Sequence, residues 1–151
     1  MNRQPSLFVL RDASFGCGLW PWAKGPLYRL EQDWPFSVEL GEGARRFFRI
    51  PRGYEFDGAS VPAFFWGFPF GYTPYGLNIG AALEHDFLCD LGKGGSDWLR
   101  RELGAEYPAP VPYAVTHAHF AHRLKEDGLR PGQAWMLGHA VQWFGPRWGM
   151  A

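Results

Sequence analysis

Apolar positions in the first third of the chain fall in short runs bounded by Gly, Pro and Asp, as they do in strands: residues 27–30, 36–40 and 46–50. The last two flank Gly41-Glu42-Gly43, a connection short enough for a hairpin. The second half changes period. Residues 79–91 are apolar nearly all round and stop at Gly92, which predicts a helix buried on every side. Residues 113–127 lie between Pro112 and Gly128, and residues 133–144 carry Leu137, Val141 and Phe144 at i, i+4 and i+7; both patterns predict helices. A shorter helix fits 97–103, inside a Gly- and Pro-rich stretch. Strands first and helices later predict an α+β fold, a small antiparallel sheet packed with three to four helices. Between the halves, 51–66 reads as a strand end, an Asp57-Gly58 turn and a helix start with Ser60 as N-cap and Pro62 in the first turn. With no internal repeat, the chain reads as a single domain over 1–151: an irregular Gly/Pro/Trp-rich arm at 1–26 and a core from 27 onward.

Composition narrows the class. Aromatic residues make up 18% of the chain (8 Trp, 6 Tyr, 13 Phe), which separates it from disordered proteins. Its 20 Gly and 13 Pro imply many turns. Fifteen basic and fifteen acidic residues cancel, so nothing draws the whole chain to nucleic acid or an anionic membrane, and no nucleic-acid partner is expected. Two cysteines, Cys17 and Cys89, cannot build the disulfide framework of a small secreted protein. The early apolar run 7–10 is too short for a signal peptide, and the run 63–70 is broken by Gly67 and Pro69, too short to span a bilayer. The expected location is a reducing cytoplasm, or a particle assembled there.

Candidate chemistry starts in the apolar helix, where Glu84, His85, Asp86 and Asp90 are the polar residues. Burying an imidazole beside a carboxylate costs free energy unless each finds a partner. Neighbouring side chains diverge by about 100° on a helix, so His85 and Asp86 do not form a dyad by themselves. His85 shares a face with Cys89, whose ordinary role is a small buried hydrophobe. Asp57, in F-D-G-A-S, suits an Asx turn, or a metal ligand or general base. The run T-H-A-H-F-A-H lacks the i, i+4 histidine pair of a zincin. Its His117 shares the inward face with Phe120, Ala121 and Leu124, whereas His119 and His122 fall on the opposite side and read as solvated. Asp57, His85, Asp86 and His117 thus form a candidate inward set, able to hold a divalent metal ion that activates water or to supply a histidine general base. Mixed N/O ligands suit Zn, Mn or Fe. No G-x-S-x-G, P-loop or G-x-G-x-x-G is present.

These residues resemble a family. G-Y-E-F-D-G-A-S-V-P-A-F-F-W, residues 53–66, is similar to the G-F-x-T-D-G-A-S-V-P-R-x-x-W signature of the phage-associated "domain of unknown function 1353" family, and A-A-L-E-H-D-F-L-C, residues 81–89, to its A-A-x-x-H-D-x-L-Y. The segment 120–145 resembles its closing helices, ending in A-V-x-x-F-G. The resemblance implies phage or prophage origin and points to Asp57, His85 and Asp86. A family Asp in A-D-x-x-F-x-x-x-L falls on His117, Cys89 stands where the family has Tyr, and residues 92–112 look like an insertion. The H-D-x-x-C string is also similar to secreted phospholipases A2, in which histidine is the base and aspartate holds calcium. Their cysteine framework and Gly-rich calcium loop are missing here.

Two functions follow as expectations. One is a hydrolase-like domain, metal-dependent or vestigial, with His85 as base or ligand, Asp86 and Asp57 as ligands or orienters, and His117 as a ligand. The other is a non-catalytic virion component of tail, neck or baseplate that meets a protein partner or another copy of itself through aromatic loops, as surplus Trp and Phe at zero net charge favour. Host cytoplasm or virion is the location that either implies.

Overall fold

The computed structural model describes residues 3–11, 27–56, 79–144 and 147–148. They form an α+β fold. Strand β1 (Leu7–Arg11) pairs antiparallel with β2 (Leu27–Leu30), which pairs antiparallel with β5 (Glu55–Phe56). Strands β3 (Trp34–Gly41) and β4 (Ala44–Ile50) make a separate antiparallel hairpin, with Trp34 opposite Ile50 and Val38 opposite Arg46. Helices follow: α1 (Ile79–Gly92), α2 (Asp97–Leu103), a 3₁₀ turn (Gly104–Glu106), α3 (Tyr113–Glu126) and α4 (Pro131–Phe144). No helix among the described residues is long and apolar enough to cross a membrane.

Local sequence accounts for most of these elements. The hairpin turns through Glu42 at φ 52° and Gly43 at φ 77°, the left-handed pair that a two-residue loop needs to match strand twist. Ser96 caps α2 by accepting the Leu99 N–H at 3.1 Å, so the stretch read as an insertion is tied down and sends Leu99 and Leu103 into the core. The first residues depart from expectation. Residues 7–11, within the arm read as irregular, are strand β1. Their apolar run is of strand length, but Phe8 and Val9 on this outer strand are exposed, so no alternation of burial marked it. Residues 12–26, the turn with Asp57 and Ser60, and the aromatic run 63–70 lie outside the described residues.

Helix α1 is the shared wall of two apolar clusters. Leu83, Phe87, Leu88 and Leu91 pack with Tyr28, Leu30, Val38 and Ile50 of the strands, while Ala81 packs with Phe120 and Leu124 of α3 and Leu137 and Val141 of α4. A helix covered on several sides has no wet face, as its sequence predicted. Between α3 and α4 the approach is close: a Cβ placed on Gly138 would sit 2.9 Å from the Ala121 Cβ. Gly138→Val should therefore push the two helices apart and lower stability by about 1–3 kcal/mol. Gly132→Ala, in open space on the first turn of α4, should leave stability unchanged or slightly raised. Denaturant unfolding of the two variants checks this, and a Gly138→Val protein as stable as the parent would contradict it.

Candidate functional site

Adjacent residues of α1 enter two different environments, one on each flank of its contact with α3. On the first flank His85 is buried, and its Nε2 lies 3.0 Å from Nδ1 of His117, itself fully buried on α3. One ring donates and the other accepts. The Phe120 ring packs 4.8 Å from the His85 ring, and Trp148 closes over His117 while its indole N–H donates to the Val111 carbonyl at 2.7 Å. Burial lowers the His85 pKa to about 4, with the charges of His119 and Lys93 acting in the same direction. The ring is therefore neutral at physiological pH.

Cys89 and Asp86 surround the same imidazole. The Cys89 sulfur is 3.7 Å from His85 Nε2 and 3.9 Å from Nδ1. Burial, reinforced by the Asp86 charge, pushes its thiol up to about 12, so it stays protonated and is no nucleophile. Asp86 Oδ1 is 3.9 Å from His85 Nδ1, too far for a direct hydrogen bond, and its side chain is partly exposed. One turn on, Asp90 accepts a 2.5 Å hydrogen bond from the Tyr54 hydroxyl, which links α1 to the end of the sheet. Burial holds the Tyr54 hydroxyl protonated, and the charges of Asp90 and Asp86 add to the effect.

Of the four residues expected to share a site, the structure brings His85 and His117 into contact, sets Asp86 beside them, and leaves Asp57 outside the described residues. Among the described residues, no group of three or more His, Cys, Asp or Glu side chains is arranged to hold a metal ion.

The second flank holds residues that sequence reasoning missed. Glu84 is buried, and its carboxylate accepts from the Trp34 indole at 2.9 Å, from Arg123 Nε at 3.1 Å and from His119 Nε2 at 2.7 Å. Arg123 also donates to Glu126 at 2.8 Å and lies 3.4 Å from Asp127. Burial opposes its charge, but Glu84, Glu126 and Asp127 keep its pKa above the ordinary arginine value. His119 was expected in solvent and is buried instead. The reason is that α3 is covered on more than one side: α1 and α4 lie along it, and β3 covers a further side, where Phe36 packs 5.8 Å from the His119 ring. His122, expected in solvent, is exposed beside Glu126. The i, i+4 spacing of His119 and Arg123, set against a glutamate on an apolar helix, was the readable signal. These residues line a groove of about 780 Å³ between β3 and α3.

The family described as "Protein of unknown function (DUF1353)" matches residues 28–141. The chain is also 28% identical over 127 residues to "Uncharacterized protein y4jT" of Sinorhizobium fredii (strain NBRC 101917 / NGR234), covering 82% of this chain and 30% of that protein. The chain thus spans less than a third of that relative's length. No solved structure matches it.

Two outcomes follow for stability. Glu84→Leu leaves the buried donors of Trp34, His119 and Arg123 without their shared acceptor and should cost about 3–5 kcal/mol. Arg123→Met should cost less in that background than in the parent, because Glu126 and Asp127 are then its remaining partners among the described residues, and strictly additive losses would contradict the network. The second outcome concerns pH. Between pH 6.5 and about 4 only the unfolded chain protonates at His85, so this group's contribution to stability falls as the pH falls through that window. Asp127 has the opposite sign, because burial raises its folded pKa from 3.8 to about 6 and acid then favours the fold. His85→Gln removes the first effect alone. That variant should lose up to about 3 kcal/mol less than the parent between pH 7 and pH 4. Parallel pH profiles for the two proteins would contradict the assignment.

Proposed function

The chain belongs to the DUF1353 family of proteins of unknown function, and from that premise we propose that it is a hydrolase-like domain with His85 as general base. The observation that carries this reading is the His85–His117 contact at 3.0 Å. It fixes the ring through Nε2, so that Nδ1 is the nitrogen left for chemistry, on the side of Asp86. A separation of 3.9 Å between Nδ1 and the carboxylate suits one bridging water, from which Nδ1 would take the proton, better than direct contact. The resemblance to the family signature adds Asp57 as a further carboxylate, which with Asp86 would hold a divalent cation.

His117 limits the base. A carboxylate in its place would stabilise the imidazolium formed when His85 takes a proton, as a neutral imidazole does not. A base with a pKa of about 4 is ready at neutral pH but accepts a proton weakly. His117→Asp, which restores the residue of the family pattern, should raise the His85 pKa toward 6.5 and strengthen it as a base. The test is hydrolysis of p-nitrophenyl ester and phosphodiester substrates with added Ca²⁺, Mn²⁺ or Zn²⁺. His117→Asp should increase turnover by about tenfold or more and move the acid limb of the pH–rate profile upward, and His85→Asn should abolish turnover in both backgrounds. Turnover that survives His85→Asn, or no turnover with either protein, would contradict the proposal.

A second reading, a non-catalytic component of a phage particle, is favoured by the outer face of α4. Trp135 and Trp143 are about 60% exposed there, with the His139 ring tilted against the first at 4.2 Å and edge-on to the second at 5.5 Å. Mass spectrometry of purified particles would find a fixed copy number on that reading, and its absence from particles would contradict it.

A further inference from the structure

The buried imidazole pair is closed on one side by a residue unlike its other neighbours. Trp148 follows Phe144, the last residue of α4, and belongs to no helix or strand. Its indole N–H donates to the Val111 carbonyl at 2.7 Å, and its ring rests against Gly92 at the end of α1. That seat is made for it: a Cβ on Gly92 would fall 2.1 Å from the indole. Gly92 has no left-handed φ, so the backbone does not demand a glycine there, whereas the close approach of the ring does. The indole stands edge-on to Tyr113 at 6.4 Å and to His117 at 6.3 Å. It is partly buried, so one side meets solvent while the other meets the fully buried His117.

The opposite wall is built differently. Phe120, against the His85 ring, belongs to α3 and to the apolar cluster that α3 shares with α4, so it does not leave without disrupting the core. Trp148 belongs to neither apolar cluster. Withdrawing its indole breaks one hydrogen bond and its ring contacts, and leaves the packing of the helices intact. We propose that the Trp148 indole is a gate. Seated on Gly92 it keeps the imidazole pair dry; swung away, it admits water and small solutes to His117. The gate concerns access alone and holds whether or not His85 acts as a base. If His85 does, the same side chain maintains the desolvation that decides the state of the ring.

The probe is diethyl pyrocarbonate, a small reagent that carbethoxylates neutral imidazoles, with each histidine read by peptide mass spectrometry at neutral pH. In the parent His117 should react slowly, at a rate that stays flat in urea below the unfolding transition, because swinging one indole exposes little surface. Trp148→Ala should speed the reaction of His117 by about tenfold or more, and Gly92→Ala, which unseats the ring but keeps the indole, should act in the same direction. His119, on the same helix but the opposite flank, should keep its parental rate in both variants. A His117 rate that neither variant changes would overturn the gate. So would a parental His117 rate that climbs with urea in step with global unfolding. A rise at His119 matching that at His117 would overturn it too, because loosening of the whole fold would then expose the ring.

Discussion

A single buried carboxylate, Glu84, ties the architecture together. An ionised group taken out of water costs several kcal/mol unless its charge and lone pairs are met. Here the indole of Trp34 meets it from the hairpin, and the imidazole of His119 and the guanidinium of Arg123 meet it from α3. These donors come from different elements, so the carboxylate fixes the hairpin, α1 and α3 relative to one another. Apolar contacts alone would tolerate sliding, whereas a buried charge tolerates few geometries. The groove between β3 and α3 is bounded by this network.

The next residue obeys the opposite rule. His85 faces the far side of the same helix contact, where among the described residues no carboxylate reaches it within hydrogen-bond distance and another imidazole takes its Nε2. Desolvation then decides its state, and the ring is neutral. One turn of α1 thus presents a satisfied anion to one flank and a neutral base to the other, because successive side chains diverge by about 100°. That divergence separates a structural task at Glu84 from the chemical one proposed for His85.

Much of this was legible from residue order. The uniformly apolar pattern of 79–91 announced a helix enclosed on all sides, the Gly41-Glu42-Gly43 turn announced the hairpin, and the inward phase of His117 with Phe120 and Leu124 placed it against His85. Strand β1 was hidden because an outer strand with exposed Phe8 and Val9 carries no alternation to read. His119 was misplaced for a different reason. Periodicity assigns one buried face to a helix, and α3 has a further one on its His119 side, covered by a hairpin more than sixty residues earlier in the chain. Long-range packing of that kind leaves no local trace. The glutamate on α1 was the hint, since a buried acid implies cations elsewhere.

The central claim is that desolvation holds His85 neutral and that the second imidazole, bonded to Nε2, fixes its tautomer. Histidine-selective ¹⁵N NMR across a pH titration tests this most directly, since ring nitrogen shifts report both protonation and tautomer. The account requires His85 to stay neutral as the pH is lowered to about 4, as a single tautomer with Nε2 coupled to His117. A His85 midpoint near the ordinary imidazole value of about 6.5, or a ring exchanging between tautomers, would contradict it.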